Sequence, residues 1–384
     1  MDGTALVRRI KGRGAQLGLA AVGIAPLLPS DHARFLRDWL ASGYAGRMSW
    51  MERTARDGVD LRRRLSWARS AVVTALPYLP YRGPRHSQPG ILPHVARYAL
   101  GRDYHETLKE RLDSLARFIE KEAPGSQTRV YVDTGPVLER ELAARAGLGW
   151  FGKNTNLIGP RGDSWTLLGQ VLTSLDLPAD TPAADHCGSC TACLDACPTA
   201  AILEPYLLDA SRCVSYLTIE LRDAIPRHQR QGMGDWVFGC DVCQEVCPWN
   251  RRVEPTQDAE FHPGPSLCEG DLRGLVGLDQ TSFRERFTGT PLARPRRRGL
   301  VRNALVVAAN TRNEPALDAA RERLADDDPV VRGAAAWALG RAGGGRNRGA
   351  LRRALAAERD QEVRSEIGAA LEDPGQESPV VPSP

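Results

Sequence analysis

Apolar residues recur at three- and four-residue spacing over 104–122 and over 137–146, which predicts two helices. Short apolar runs read as strands. One is Ala71-Val72-Val73-Thr74-Ala75-Leu76, stopped by Pro77, and another is Thr128-Arg129-Val130-Tyr131-Val132, stopped by Asp133-Thr134-Gly135-Pro136. Strands alternating with helices predict an α/β domain over residues 1–180. Residues 80–94, rich in Pro, Gly and His, read as a loop, and 178–184 as a linker into a cysteine-rich module over 181–255. The pattern then changes. Val301-Arg302-Asn303-Ala304 recurs as Val331-Arg332-Gly333-Ala334, and a third copy starts at Val363-Arg364. Small residues follow each copy at helical spacing, and Asp326-Asp327-Asp328-Pro329 and Asp360 stand where helices would begin. Residues 256–370 are therefore expected to form a short α-solenoid of HEAT-like repeats, and 371–384 a disordered tail.

Composition narrows the class. The 384 residues give room for two to three domains. A net charge of +4 fits a local basic patch better than a strongly basic protein. No run of 18 apolar residues occurs, so no membrane helix is expected, and residues 1–14 lack the apolar core of a signal peptide. The expected location is the cytoplasm. Structural disulfides are rare there, so the nine cysteines point to metal or redox chemistry.

Eight of those cysteines form a pattern. Cys187, Cys190, Cys193 and Cys197 are spaced C-x2-C-x2-C-x3-C and followed by Pro198, the spacing of two-cluster ferredoxins. Three close thiolates wrap three corners of one cubane, and the fourth is turned toward another. Cys240, Cys243 and Cys247, with Pro248, repeat the end of the pattern without its first cysteine, and Cys213 is the obvious substitute. Cys187, Cys190, Cys193 and Cys247 would then hold one [4Fe–4S] cluster, and Cys197, Cys213, Cys240 and Cys243 the other. Zinc sites use paired cysteines but not this run. Cys268 is left over as a small apolar residue.

Two motifs are decoys. Gly147 to Gly152 matches G-x-G-x-x-G, but a helical segment precedes it where a nucleotide site needs a strand, so Gly147 reads as a helix cap. Asp103 and His105 resemble part of a cobalamin signature whose glycine is missing, so Asp103 reads as the cap of a helix. Asp133 ends a predicted strand. Its position fits either a helix cap or a ligand-facing acid.

The chain resembles the epoxyqueuosine reductases. The residues that carry this are 96–112, 132–158, the two cysteine runs, 212–222, 238–250 and the Arg-rich stretch 295–310. The resemblance implies a cobalamin-dependent iron–sulfur enzyme, similar to reductive dehalogenases in its cofactor domain. It would remove the epoxide oxygen of epoxyqueuosine at the wobble position of tRNA. Electrons would pass singly from a cluster to cobalamin, with cob(II)alamin as the resting form. Asp133 matches the proton donor, and burial beside the corrin would raise its pKa and keep its proton available. Arg56, Arg97, Gly152, Lys153, Asn154, Leu157, Ser215, Tyr216 and Asp241 match cofactor-binding positions. Arg222, Arg296, Arg297, Arg298 and Arg302 are the expected tRNA contacts. An external low-potential donor is implied, and a monomer is expected. A corrinoid reductase acting on a small molecule, or a ferredoxin-like scaffold, are the competing readings. The first leaves the Arg-rich repeats without a task, and the second leaves residues 1–175 without one.

Overall fold

The computed structural model describes residues 2–160 and 163–372. In the first part, helix α1 (Gly3–Gln16) leads into β1 (Ala21–Pro26), and α2 (Ala33–Ala41) and α3 (Trp50–Asp57) lead into β2 (Ser70–Pro77). Helix α4 (Tyr104–Glu122), β3 (Thr128–Tyr131), α5 (Glu139–Arg145), the short strands β4 (Trp150–Phe151) and β5 (Leu157–Ile158), and β6 (Thr166–Thr173) complete it. The main sheet runs β1-β2-β6-β3, and every pairing in it is antiparallel.

The sheet divides its residues by the two-residue period of a strand. Ile24, Val72 and Val171 face Ile10 of α1 and Leu108, Leu112 and Leu115 of α4. Ala25, Ala71, Val73 and Leu172 face Leu142 and Ala143 of α5. Both faces of β2 are covered, so its sequence is an unbroken apolar run rather than an alternating one. Asp103 caps α4 by accepting from the His105 N–H at 3.0 Å. Residues 178–184 are not a free linker. Asp180 pairs with β1 through Ile24 in both directions, at 3.0 and 2.8 Å, and accepts from Lys11 Nζ at 2.6 Å.

The cysteine module contains α6 (Ala192–Asp195), the hairpin β7 (Ile202–Glu204) and β8 (Leu207–Leu208), and α7 (Val214–Ile219). Five helices then stack as the solenoid: Arg296–Asn310, Glu314–Ala320, Pro329–Ala342, Gly345–Ala357 and Gln361–Glu372. Asn313 and Asp328 cap the second and third, and Asp360 accepts from the N–H of Val363 before the last. Their packed faces merge into one core with Val237 and Phe238 of the cysteine module. Of the expected tail, residues 373–384 lie outside the described residues.

Candidate redox centre and acid cleft

The cysteines gather into two groups. Cys187, Cys190, Cys193 and Cys247 line one cavity of about 40 Å³, together with Lys153, Asn154, Ile158 and Trp249. Cys213, Cys240, Cys243 and Cys197 form the second neighbourhood. Cys243 feels the charges of Cys213 and Cys197, and Cys240 those of Cys213 and Cys243. Among the described residues, no three His, Cys, Asp or Glu side chains are close enough to hold a single metal ion. The first four thiols instead line a shared cavity, an arrangement suited to a multi-iron cube held at its corners. Burial first, and then thiol repulsion, pushes Cys240 and Cys243 up as free thiols. Four thiolates at such a site need a cationic core between them.

Backbone donors converge on the sulfurs. Ala201 N–H donates to Cys197 Sγ at 3.2 Å. The N–H groups of Ser215 and Tyr216, in the first turn of α7, donate to Cys213, with the Ser215 hydroxyl beside them. Trp249 and Asn250 N–H groups serve Cys247, and Val242 N–H serves Cys240. Such bonds stabilise negative charge on sulfur and set cluster potential.

The turn after β4 braces both groups. Lys153 Nζ donates to the carbonyls of Gly188 and Cys190, at 2.6 and 2.9 Å. The buried Asn154 donates to the Cys243 carbonyl at 3.1 Å, and Asn156 Nδ2 lies 3.8 Å from Cys243 Sγ. Gly152 allows this turn to close, since a Cβ there would stand 2.7 Å from Asn154 Oδ1. Leu157 is core rather than cleft. Trp150 and Trp249, 5.1 Å apart, shield Cys247 and Cys187. Asn156 and these two tryptophans were missed by sequence reasoning. Only their place inside the conspicuous 147–158 and 238–250 stretches signalled them.

Two expected cofactor residues bond each other. Arg97 is buried, its N–H donates to Asp241 Oδ2 at 2.8 Å, and its guanidinium reaches Glu245 at 2.5 Å and the Gly83 carbonyl. Burial, then partly opposed by Arg97, lifts Asp241 to about 6. Tyr216 is also buried, and its hydroxyl accepts from the Arg47 N–H at 2.8 Å. Arg56 is 72% exposed and bonded to Asp57 at 2.8 Å.

Asp133 stands at the floor of an open cleft. Its side chain is 59% exposed although protein surrounds it on most sides. Its backbone is left-handed, with φ of +53°, and its N–H donates to Glu139 Oε1 at 2.8 Å. Tyr104 Oη donates to Asp133 Oδ2 at 2.9 Å, and His105 Nε2 lies 3.1 Å from the same oxygen. Behind the ring, His105 Nδ1 is 2.7 Å from Asp103 Oδ1. The groups around the Asp133 carboxyl favour its charged form. Burial does push upward, but the bonds from His105 and Tyr104, with the charges of His105 and Arg294, hold the carboxyl below its usual value. Burial first and the Asp133 charge second push Glu139 up instead, to about 8. For His105, burial opposes the charged ring, but Asp103 and Asp133 outweigh it and lift the ring to about 9. The acid thus belongs to a group, of which sequence reasoning found only Asp133. The D-x-H spacing was the signal for the rest.

Tyr98 links the cleft to the second cysteine group. It packs edge-on to Tyr104 at 5.8 Å, feels both Asp133 and Asp241, and lies against Gly239, next to Cys240.

The five expected RNA contacts separate. Arg296 is exposed, and Arg222 is half-buried with Nη1 donating to the Arg294 carbonyl at 2.6 Å. Arg298 pairs with Asp328 at 3.2 Å and keeps partial exposure. Arg297 is spent on Asp326 and the Leu278 carbonyl. Arg302 is a correction. It is 1% exposed and donates to the carbonyls of Leu217, Leu221 and Asp223 at 2.6–2.8 Å, so no phosphate can reach it.

Comparison with known proteins agrees with this layout. Residues 186–250 match the 4Fe-4S double cluster binding domain, 59–134 the Epoxyqueuosine reductase QueG, DUF1730 family, and 296–372 HEAT repeats. The chain is 40% identical to an epoxyqueuosine reductase of Xanthomonas campestris pv. campestris over 350 residues, 89% of this chain and 98% of that one. It is also 40% identical to that of Pseudomonas aeruginosa, over 89% and 96% of the two chains. An epoxyqueuosine reductase solved with a tRNA-Tyr epoxyqueuosine-modified stem loop superposes with a TM-score of 0.88 at 31% identity, covering 97% of this chain and 99% of that one. The Bacillus subtilis epoxyqueuosine reductase, captured with an aspartate catalytic loop swung out of its active site, gives the same values. By sequence and by fold, this chain belongs to the epoxyqueuosine reductase family.

Proposed function

We infer that this protein reduces the epoxide of epoxyqueuosine in tRNA, yielding queuosine. The observation that carries this is the joining, through Tyr98, of a double-cluster thiol module to an acid-floored cleft. Cys187, Cys190, Cys193 and Cys247 would hold one cluster, and Cys197, Cys213, Cys240 and Cys243 the other. Cobalamin, when bound in the cleft, supplies a metal centre that accepts single electrons and delivers them to carbon. Both ring nitrogens of His105 are engaged by Asp103 and Asp133, which fits a corrin carried without a protein histidine on its metal. Asp133 passes a proton to the epoxide oxygen. Ser215 and Tyr216 fix Cys213, Asp241 and Arg97 fix the loop of Cys240, and the turn of Gly152, Lys153 and Asn154, seated on the core residue Leu157, braces both cysteine groups. Arg222, Arg296 and Arg298 bind the RNA backbone, so that the modified base can leave its stack and enter the cleft. An external low-potential one-electron donor feeds the clusters, and the protein acts as a cytoplasmic monomer. None of its described helices is long and apolar enough to cross a membrane.

The test uses anaerobic protein loaded with iron, sulfide and cobalamin, a strong reductant, and an epoxyqueuosine stem loop. Mass analysis of the nucleoside should show loss of one oxygen. Asp133→Asn should keep cobalamin absorbance and slow turnover by roughly 10²–10⁴-fold, the usual worth of a positioned acid. An unchanged nucleoside with fully loaded wild-type protein rejects the reading.

A further inference from the structure

Removing an epoxide oxygen as water consumes two electrons and two protons. The electrons come from the low-potential donor and enter the carbon–carbon bond that becomes double. The first proton goes to the oxygen as one C–O bond opens, and the second as the other breaks and water leaves. Asp133 is a single carboxyl, and substrate covers it throughout. It must therefore be loaded twice without losing the substrate.

The geometry provides a route for this. His105 Nε2 lies 3.1 Å from Asp133 Oδ2, the oxygen that also accepts from Tyr104. Its other nitrogen is held by Asp103 at 2.7 Å, which fixes the ring and supports its charge. The ring is 34% exposed, so solvent reaches it. We propose that His105 is the proton source for both transfers, giving its proton through Asp133 as each C–O bond opens, which makes it a positioning and proton-supplying residue rather than one that touches substrate. This rests on the epoxide reduction inferred above. In each transfer the Nε2 proton passes to the Asp133 carboxyl as the substrate oxygen takes a proton from it. The neutral ring keeps Nδ1–H on Asp103 and regains a proton at Nε2 from water.

The charged neighbours favour a proton on the ring at neutral pH. Asp103 and Asp133 face it directly, and Tyr104 stacks on it at 4.1 Å with Tyr98 behind. Glu139 lies under Asp133, and Arg294, paired with Glu220, faces Asp133 across the cleft. The net result is a ring held up at about 9 beside a carboxyl held down.

The experiment compares pH profiles of kcat for the loaded protein and two variants on the stem loop. Wild-type kcat should hold through neutral pH and fall as pH rises through about 9, where the ring loses its proton. His105→Gln keeps a donor toward Asp133 but carries no titrating proton. It should lose this alkaline limb and at least tenfold in kcat at pH 7.5, with KM and cobalamin absorbance unchanged. Asp103→Asn still caps α4 but withdraws the charge behind the ring, so the limb should move to lower pH. A second readout needs no turnover. Because the folded ring is raised above its unfolded value of 6.5, its stabilisation is full below that pH and is lost as pH rises through about 9. The gap in thermal midpoint between wild type and His105→Gln should therefore close over that window. Should both variants retain the wild-type profile, the relay is overturned while epoxide reduction stands. Should wild type convert nothing, both fall.

Discussion

Arg302 shows how one side chain can look like a surface ligand and act as a strut. It lies in the densest arginine run of the chain, yet it reaches back into the cysteine module and satisfies three carbonyls around the end of α7. Burial, then the charges of Arg298 and Arg222, pulls its pKa down to about 9, which leaves it charged at neutral pH. Its neighbour Asn303 does the same for the carbonyls of Thr218 and Val237, both at 2.8 Å. Arg302→Leu would strand those carbonyls in a dry interface. Breaking a buried charged bond in this way costs about 3–5 kcal/mol, so the thermal midpoint of the loaded protein should drop by several degrees. The salt dependence of tRNA binding by the surviving folded protein should be unchanged. A flattened salt dependence instead would mean that Arg302 meets phosphate.

At the scale of elements, the turn following α5 does the most for the site. Gly147 adopts φ of +72°, and the N–H groups of Gly147 and Leu148 return to the carbonyls of Ala144 and Ala143 at 3.1 and 2.9 Å. This closes the helix and redirects the chain into the β4–β5 hairpin, whose turn supplies Lys153 and Asn154 to the cysteine loops. A Cβ at Gly147 would sit 2.5 Å from the Thr181 carbonyl. Gly147→Ala should therefore destabilise the fold by more than the about 1–2 kcal/mol that left-handed backbone alone costs, read as a lowered thermal midpoint. It should also weaken iron retention, read as the visible absorbance left after gel filtration. This cap was legible in the sequence because a strong helical pattern ran straight into the glycine. So were α4, β2, β3 and the solenoid helices, all set by local periodicity and caps. The grouping of the eight cysteines was legible from spacing. The Asp133–His105 bond was not, since it joins positions 28 apart whose meeting depends on how β3 lies beside α4. Nor was the fate of the arginines. Arg97, Arg297 and Arg302 differ from Arg296 only in which acids and carbonyls tertiary packing brings to them.

Over the whole molecule, that sorting of arginines leaves a basic cluster in one place. Burial and then the nearby charges of Arg294, Arg296 and Arg298, partly offset by Glu220, pull Arg222 down, which means four positive groups crowd together. Arg294 in turn feels Asp133 and Tyr104. The cluster therefore borders the acid cleft, where the cysteine module meets the solenoid. A net charge of only +4 spread over 384 residues would attract RNA weakly, so a local field of this kind is what the proposed RNA contact relies on. Each phosphate that a side chain neutralises on a single-stranded loop adds about 0.7 to the steepness of log affinity against log salt. Arg222→Ala with Arg296→Ala should then weaken stem-loop binding at low salt and make that slope shallower by about 0.7–1.4. Iron content and cobalamin absorbance should stay at wild-type levels, because neither side chain touches a cysteine loop. A slope that matches wild type would place the RNA on a different face, and the solenoid's first helix would then serve only to clamp α7 against the module that carries the thiols.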